Sequence, residues 1–90
     1  MAATYPLRIV SREEKVFEGQ VESVVAPGAL GYLGVLANHA PLLTSLTSGR
    51  ITVRDAQNET HEFRVQGGIL EVSTSQVTIL ADRITSAAPS

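Results

Sequence analysis

Short runs of alternating apolar and polar residues follow one another along this chain. The clearest is Arg50–Arg54, in which Ile51 and Val53 alternate with arginine and threonine. Such alternation is typical of a strand with one face in a core. Similar runs predict further strands at Leu7–Val10, Lys15–Glu18, Gln20–Ala26, Pro41–Leu46, Glu59–Gln66, Ile69–Val72 and Gln76–Asp82. No segment shows the period of a helix.

The strongest local signal is a hairpin centred on Gln57-Asn58. Asparagine tolerates the left-handed conformation that tight turns require. Alternating runs on both sides of a two-residue turn are typical of a β-hairpin. On the returning strand we expect His61, Phe63 and Val65 to share one face.

Strands of this length and spacing predict an all-β fold. The architecture expected is a two-layer β-sandwich or flattened barrel of about eight to ten short strands. Within it, Ala26–Leu43 combines three glycines with leucines and predicts a folded loop-and-strand ribbon. We expect one domain over residues 1–83 and a short flexible tail over residues 84–90.

Two aliphatic residues interrupt the alternation. Ile69 and Leu80 fall on the side of their strands that should face water. Either the second layer covers them locally, or they belong to a surface that binds a partner, since contiguous exposed apolar patches mark such surfaces. The pattern alone leaves both possibilities open.

Composition narrows the function classes. Apolar residues make up 43% of the 90 residues, aromatics only 4%, and the net charge is −2. Seven basic residues spread over the chain give neither a nucleic-acid stripe nor a polybasic membrane patch. Without cysteine there is no disulfide or thiolate metal site. We expect no signal peptide and no membrane span, because no basic n-region or long apolar run occurs.

Candidate chemistry is sparse. Gly28, Gly31 and Gly34 are evenly spaced, but no Lys-Ser/Thr pair follows them as in a phosphate-binding loop. His39 and His61 are far apart and lack a metal-binding spacing. We therefore expect no catalytic residue, no cofactor and no metal ligand.

Several motifs along the chain match one known family. They are Leu7–Val10, Val16-Phe17-x-Gly19, Val21-x-x-Val24, Pro27-Gly28-x-x-Gly31-x-x-Gly34-Val35-Leu36, Asn38-His39-Ala40-Pro41-Leu42-Leu43, Val65-x-Gly67-Gly68-x-Leu70-Glu71-Val72 and Val77–Asp82. Together they resemble the epsilon subunit of F-type ATP synthase, in its N-terminal β-sandwich domain. The likeness extends from about Leu7 to Asp82.

That resemblance implies a non-catalytic subunit of the central stalk, or rotor. Its partners would be the gamma subunit and the c-ring, and it would help couple proton translocation to ATP synthesis. The enzyme would be the whole ATP synthase complex, and this subunit would bind no cofactor. The expected location is peripheral, on the cytoplasmic face of the bacterial plasma membrane or the equivalent organelle membrane.

The resemblance also implies which residues meet each partner. The expected c-ring-facing residues are Leu30, Gly31, Tyr32, His39, Ala40, Pro41 and Leu42. For gamma, the outward aliphatics Leu43, Ile69 and Leu80 are expected, mainly from the alternation argument. Tyr32 stands where many family members carry an acidic residue, so we expect less ionic recognition and an amphipathic anchor at that position.

The family usually continues into a C-terminal helical hairpin that inhibits ATP hydrolysis. Nothing after Asp82 could form it, so we expect neither nucleotide binding nor inhibition of that type. Two other classes remain as alternatives. A carbohydrate- or peptide-binding β-sandwich would present exposed aromatics, and a cupin-like barrel enzyme would cluster histidines with a glutamate.

Overall fold

The computed structural model describes residues 3–86. Every regular element in that range is a strand, and the range contains no helix long and apolar enough to cross a membrane. The six strands are β1 (Tyr5–Ser11), β2 (Lys15–Gly28), β3 (Gly31–Leu36), β4 (Leu42–Asp55), β5 (Thr60–Val72) and β6 (Val77–Ser86).

The six strands form one sheet that closes on itself. Their order is β1-β6-β5-β4-β2-β3, and β1 also pairs with β2. The β1–β6 pairing is parallel and all the others are antiparallel. The predicted all-β class and flattened, two-layer barrel are therefore confirmed.

The predicted number of strands is wrong, because the structure has six strands, four of them 10 to 14 residues long, in place of eight to ten short ones. Pairing continues through the predicted break at Ser48-Gly49, where Ser48 faces Gln66 and Gly49 faces Val65. Likewise, Gly19 lies inside β2 and Gly67-Gly68 inside β5. These small residues let a strand bend without ending, so that one strand belongs to both layers of the sandwich.

The bend changes which residues face inward. In β4, for example, Leu46 is buried before the bend and Ile51 after it. In β5, Val65 is buried before the bend and Leu70 after it. The buried positions thus change from even to odd numbers in β4, and from odd to even in β5. Gly67 and Gly68 have φ of 79° and 146°, and these positive values interrupt the regular alternation of β5 at the point where the change occurs.

All six strands contribute to a single aliphatic core. Its buried residues are Tyr5, Leu7, Ile9, Val21, Val24, Ala26, Val35, Leu46, Ile51, Val53, Phe63, Val65, Leu70, Val72, Val77, Ile79 and Ala81. In β2, Val21 and Val24 are buried and Val25 is exposed, so strict alternation is interrupted. A register shift between Val21 and Ser23 in the pairing with β4 accounts for the interruption.

The predicted hairpin around Gln57-Asn58 is confirmed as the β4–β5 connection. Asn58 has a φ of 67°, as the left-handed turn position requires. Phe63 and Val65 are buried on the same face, with His61 half-buried beside them.

A single carboxylate holds the tip of this hairpin. Oδ1 of Asp55 accepts hydrogen bonds from the backbone N–H groups of Gln57 and Glu59, each at 2.9 Å. Nε2 of His61 donates to Oδ2 of Asp55 at 2.7 Å. The hydrogen bond from His61, and then those from the backbone, hold the pKa of Asp55 below its usual value.

The chain end differs from the expected flexible tail over residues 84–90. Strand β6 continues to Ser86, which pairs with Phe63, while Ile84 pairs with Val65 and packs against the core. Residues 87–90 of the predicted tail lie outside the described residues. Apolar contact of Ile84 with the core explains why β6 extends past Asp82.

The bend in β5 predicts that Gly68→Ala is destabilising. An added Cβ would lie 2.3 Å from the carbonyl oxygen of Leu80 and 3.0 Å from Cα of Ala81, both backbone atoms that cannot move aside. With the cost of a positive φ, urea unfolding should show a loss of about 2 kcal/mol or more. Gly34→Ala is the control, because its nearest neighbour would be Val25 Cγ2 at 3.8 Å. Equal stability of the two variants would contradict this account.

The hairpin tip predicts a pH-dependent effect of Asp55→Asn. Because the folded pKa of Asp55 is lowered, its charged form stabilises the fold above the ordinary value of 3.8, and that contribution is lost as pH falls through the folded pKa. The variant should therefore melt below the wild type at pH 7, with the gap narrowing at about pH 3. Asp82→Asn, at an exposed position, should show neither effect. A Tm gap of constant size would show that the charge of Asp55 is not responsible.

Candidate functional site: the outer surfaces of the sandwich

The turn between β2 and β3 projects Leu30 into solvent. Leu30 is fully exposed, and Gly31 next to it has a φ of 124°. The backbone N–H of Ala29 donates to the carbonyl oxygen of Ser45 at 3.1 Å, which fixes the turn against the start of β4. The turn therefore presents an apolar tip from a defined backbone.

Tyr32 lies on the outer surface just beyond this turn. The residue is 60% exposed, and its hydroxyl accepts a hydrogen bond from the backbone N–H of Arg50 at 3.0 Å. Gly49 allows this approach, since a Cβ there would lie 2.5 Å from the Tyr32 hydroxyl and 2.8 Å from Cβ of Pro27. Tyr32 is thus a positioned amphipathic residue with one apolar face open to a partner.

His39 belongs to the corner that leads from β3 into β4. Asn38 before it has a φ of 66°, and the imidazole Nδ1 bonds the carbonyl oxygen of Leu36. The ring also packs edge-on against Tyr5, with ring centroids 5.3 Å apart. The hydroxyl of Tyr5 donates to the carbonyl oxygen of Val35 at 2.5 Å, and burial raises the pKa of Tyr5 to about 12. His39 therefore stabilises the corner.

The residues predicted to face the c-ring form two separate groups. One is the turn with Leu30, Gly31 and Tyr32, and the other is the corner with His39, Ala40, Pro41 and Leu42. Strand β3 separates Gly31 from Leu36 by about 17 Å at the usual strand rise. His39 stays beside Leu36, whereas Leu42 opens β4 and pairs with Val72. The fold therefore does not gather all seven residues into one cluster.

The three residues predicted to face gamma lie on one outer face. Ser45, Ile69, Leu80 and Val10 occupy directly paired positions across β4, β5, β6 and β1. Leu43 lies two residues from Ser45 on the same side of β4, diagonal to Ile69. We call Leu43, Ile69 and Leu80 the aliphatic face.

The second layer does not cover the aliphatic face. Leu43, Ile69 and Leu80 are 69%, 44% and 48% exposed. The possibility that Ile69 and Leu80 are covered locally is therefore wrong. A hollow of about 290 Å³ beside Ile69 and Leu80 is also lined by Val10 and Gly68.

A cluster that the sequence analysis missed lies at the β4–β5 hairpin tip. Ligand atoms of Asp55, Glu59 and His61 come within 4.8 Å of one another. Both oxygens of Asp55 already accept hydrogen bonds, and His61 packs edge-on against Phe17 with ring centroids 5.1 Å apart. This arrangement stabilises the turn and ties it to β2. Its only sequence signal was the spacing of these residues around a predicted turn.

Comparison with known proteins identifies the fold and the family. The family model described as ATP synthase, Delta/Epsilon chain, beta-sandwich domain, matches residues 4–87. Two solved structures share the fold. A chain of the Euglena gracilis mitochondrial ATP synthase with its c-ring has a TM-score of 0.87 at 22% identity, and covers 96% of this chain and 55% of that one. The Tetrahymena thermophila mitochondrial ATP synthase central stalk and c-ring gives 0.76 at 15% identity, covering 93% and 67%.

The sequence relatives carry one name. The ATP synthase epsilon chain of Xanthomonas euvesicatoria is 49% identical over 74 residues, or 82% of this chain and 53% of the relative. The epsilon chain of Caulobacter vibrioides is 46% identical over 80 residues, or 89% of this chain and 92% of the relative. The chain spans about half the length of most of the curated relatives it matches. It belongs to the ATP synthase epsilon chain family, whose β-sandwich domain it forms.

Proposed function

We propose that this chain is a non-catalytic rotor subunit of ATP synthase, which binds the gamma subunit and the c-ring and helps couple proton translocation to ATP synthesis. Family membership supports the assignment to the complex. The observation that carries it is the aliphatic face, three large apolar side chains that the closed fold leaves in water. Such a patch on a small β-domain is typical of a surface that another protein covers.

The aliphatic face suits the gamma subunit because its three side chains are exposed together on directly paired strands. A stable interface buries about 800 Å² on each partner, and this chain exposes 5662 Å² in total. Leu43, Ile69 and Leu80 would form the apolar centre of such an interface, with Glu71 and Thr78 beside them as polar rim positions.

The two groups at the ends of β3 are the proposed c-ring contacts. Leu30 offers an exposed apolar tip, and Tyr32 offers a ring face whose hydroxyl is already bonded to Arg50. The corner at His39, Ala40, Pro41 and Leu42 would supply a second, separate contact. Since Tyr32 is uncharged, recognition at the first group would depend on shape and apolar burial more than on ion pairing.

The proposed role also gives a location. The subunit would be peripheral to the cytoplasmic face of the bacterial plasma membrane, or the equivalent organelle membrane, and held there by gamma and the c-ring. It would use no cofactor of its own. A carbohydrate-binding role has less support, because Tyr32 is the one strongly exposed aromatic among residues 3–86, while Tyr5 and Phe63 are buried.

The gamma contact predicts that Leu80→Arg weakens binding of purified gamma at least tenfold, because a guanidinium would be desolvated in an apolar interface. Isothermal titration calorimetry with gamma measures the effect. Leu36→Arg is the control, because Leu36 is 65% exposed but lies on β3 outside the aliphatic face. Both variants should keep the wild-type Tm. Equal affinities of gamma for the two variants would reject the aliphatic face as its binding site.

The proposed c-ring contact at the β2–β3 turn predicts an assembly defect for a variant of Leu30. Leu30→Ser should reduce co-purification with the c-ring while leaving gamma affinity unchanged, because it removes the apolar tip and alters no strand. Val25→Ser is the control, because Val25 is 38% exposed in β2 and belongs to neither proposed c-ring group. If Leu30→Ser assembles with the c-ring as well as Val25→Ser does, the turn at Leu30–Tyr32 is not a c-ring contact.

A further inference from the structure

Two arginines lie side by side on the outer surface of the sheet, on the other side of the bend from the aliphatic face. Arg50 in β4 and Arg64 in β5 are directly opposite each other in the antiparallel register, and both are exposed. Side chains at such positions have Cβ atoms about 5 Å apart, and like charges there are unfavourable. A chain with nine acidic residues and a net charge of −2 thus places two positive charges together.

Carboxylates do little to offset these charges. Within residues 3–86, the nearest is Glu62, whose Oε1 lies 4.0 Å from Nη1 of Arg50. The side chains of this pair are 48% and 40% exposed, so their attraction is weakened by solvent. Over the same described range, Arg64 makes no salt bridge and no side-chain hydrogen bond. Its guanidinium donors are open to a ligand.

A third arginine extends the positive surface. Arg64 pairs with Thr85 of β6, so Arg83 is its diagonal neighbour, at about 7–8 Å between Cα atoms. Arg64 and Arg83 line a hollow of about 210 Å³ together with Gln66 and Thr85. Arg64 also lines the larger hollow beside Arg50, so it lies at the centre of the group.

The hollow between Arg50 and Arg64 is lined by hydrogen-bond donors. It measures about 350 Å³, and its other lining residues are Tyr32, Gly49 and Thr52. The hydroxyl oxygen of Tyr32 accepts the N–H of Arg50, which leaves its own hydrogen free to donate. Two guanidinium groups and two hydroxyl groups therefore surround a shallow, positively charged space.

We propose that Arg50 and Arg64 bind a phosphate group in this hollow, with Arg83, Thr52 and Tyr32 at its rim. A carboxylate is satisfied by one bidentate arginine, whereas a phosphate has enough oxygens to engage two guanidinium groups and a hydroxyl together. The bound anion would remove the repulsion between the paired arginines. The phosphate is either free or carried by a lipid headgroup.

Nuclear magnetic resonance of the isolated chain tests this directly. Sodium phosphate is titrated at constant ionic strength maintained with sodium chloride, and amide shifts are followed. We expect saturable shifts at Gly49, Arg50 and Arg64, and at least a tenfold weaker affinity in Arg64→Gln. Arg8→Gln removes the same charge from β1 and should bind phosphate like the wild type.

A second measurement separates the two phosphate sources. A lipid headgroup would be identified if the chain co-sediments with phosphatidylglycerol vesicles but not with phosphatidylcholine vesicles. This co-sedimentation should be lost in Arg64→Gln and retained in Arg8→Gln. Saturable phosphate binding without vesicle binding would identify a free phosphate. The proposal fails if phosphate gives no saturable shifts and vesicle binding does not depend on Arg64, or if Arg8→Gln weakens binding as much as Arg64→Gln does. Neither gamma nor the c-ring takes part, so these outcomes leave the rotor assignment untouched.

Discussion

The bend that β4, β5 and β6 share is the constraint on which the rest of this structure depends. In this domain one sheet encloses the core because its longer strands turn a corner, and the inward-facing side chains of β4 and β5 change parity there. Gly68 makes this possible in β5, because any side chain would meet the backbone of β6. With the corner in place, β1 can lie between β6 and β2, and the barrel closes.

The closed sheet packs its inward-facing side chains into the core, so the surfaces that a partner could bind are the outer faces. The buried core is formed mostly by Val, Ile and Leu side chains from all six strands. Each bent strand then carries different chemistry on either side of the corner. β4 presents Leu43 and later Arg50, β5 presents Arg64 and later Ile69, and β6 presents Leu80 and later Arg83. The domain thus has one aliphatic and one positively charged outer face.

Such a body is compatible with the proposed rotor role. A closed sheet pairs nearly every strand on both sides, and side chains hold two of its connections. Asp55 fixes the β4–β5 turn through three hydrogen bonds, and His39 fixes the β3–β4 corner against Leu36 and Tyr5. These residues are of types that often serve catalysis, yet here their contacts are those of structural supports.

The sequence by itself determined the hairpin at Asn58, the all-β class and the position of most strand segments, because alternation and turn chemistry are local properties. Its motifs, among them Asn38–Leu43, indicated the family by resemblance. It also marked Ile69 and Leu80 as unusual. Only the tertiary structure decided that eight or more predicted strands merge into six, that Ile84 continues β6, and that Asp55 meets His61. The pairing of Arg50 with Arg64 also depends on the register of the β4–β5 hairpin, which the geometry of its turn fixes and neither strand shows alone.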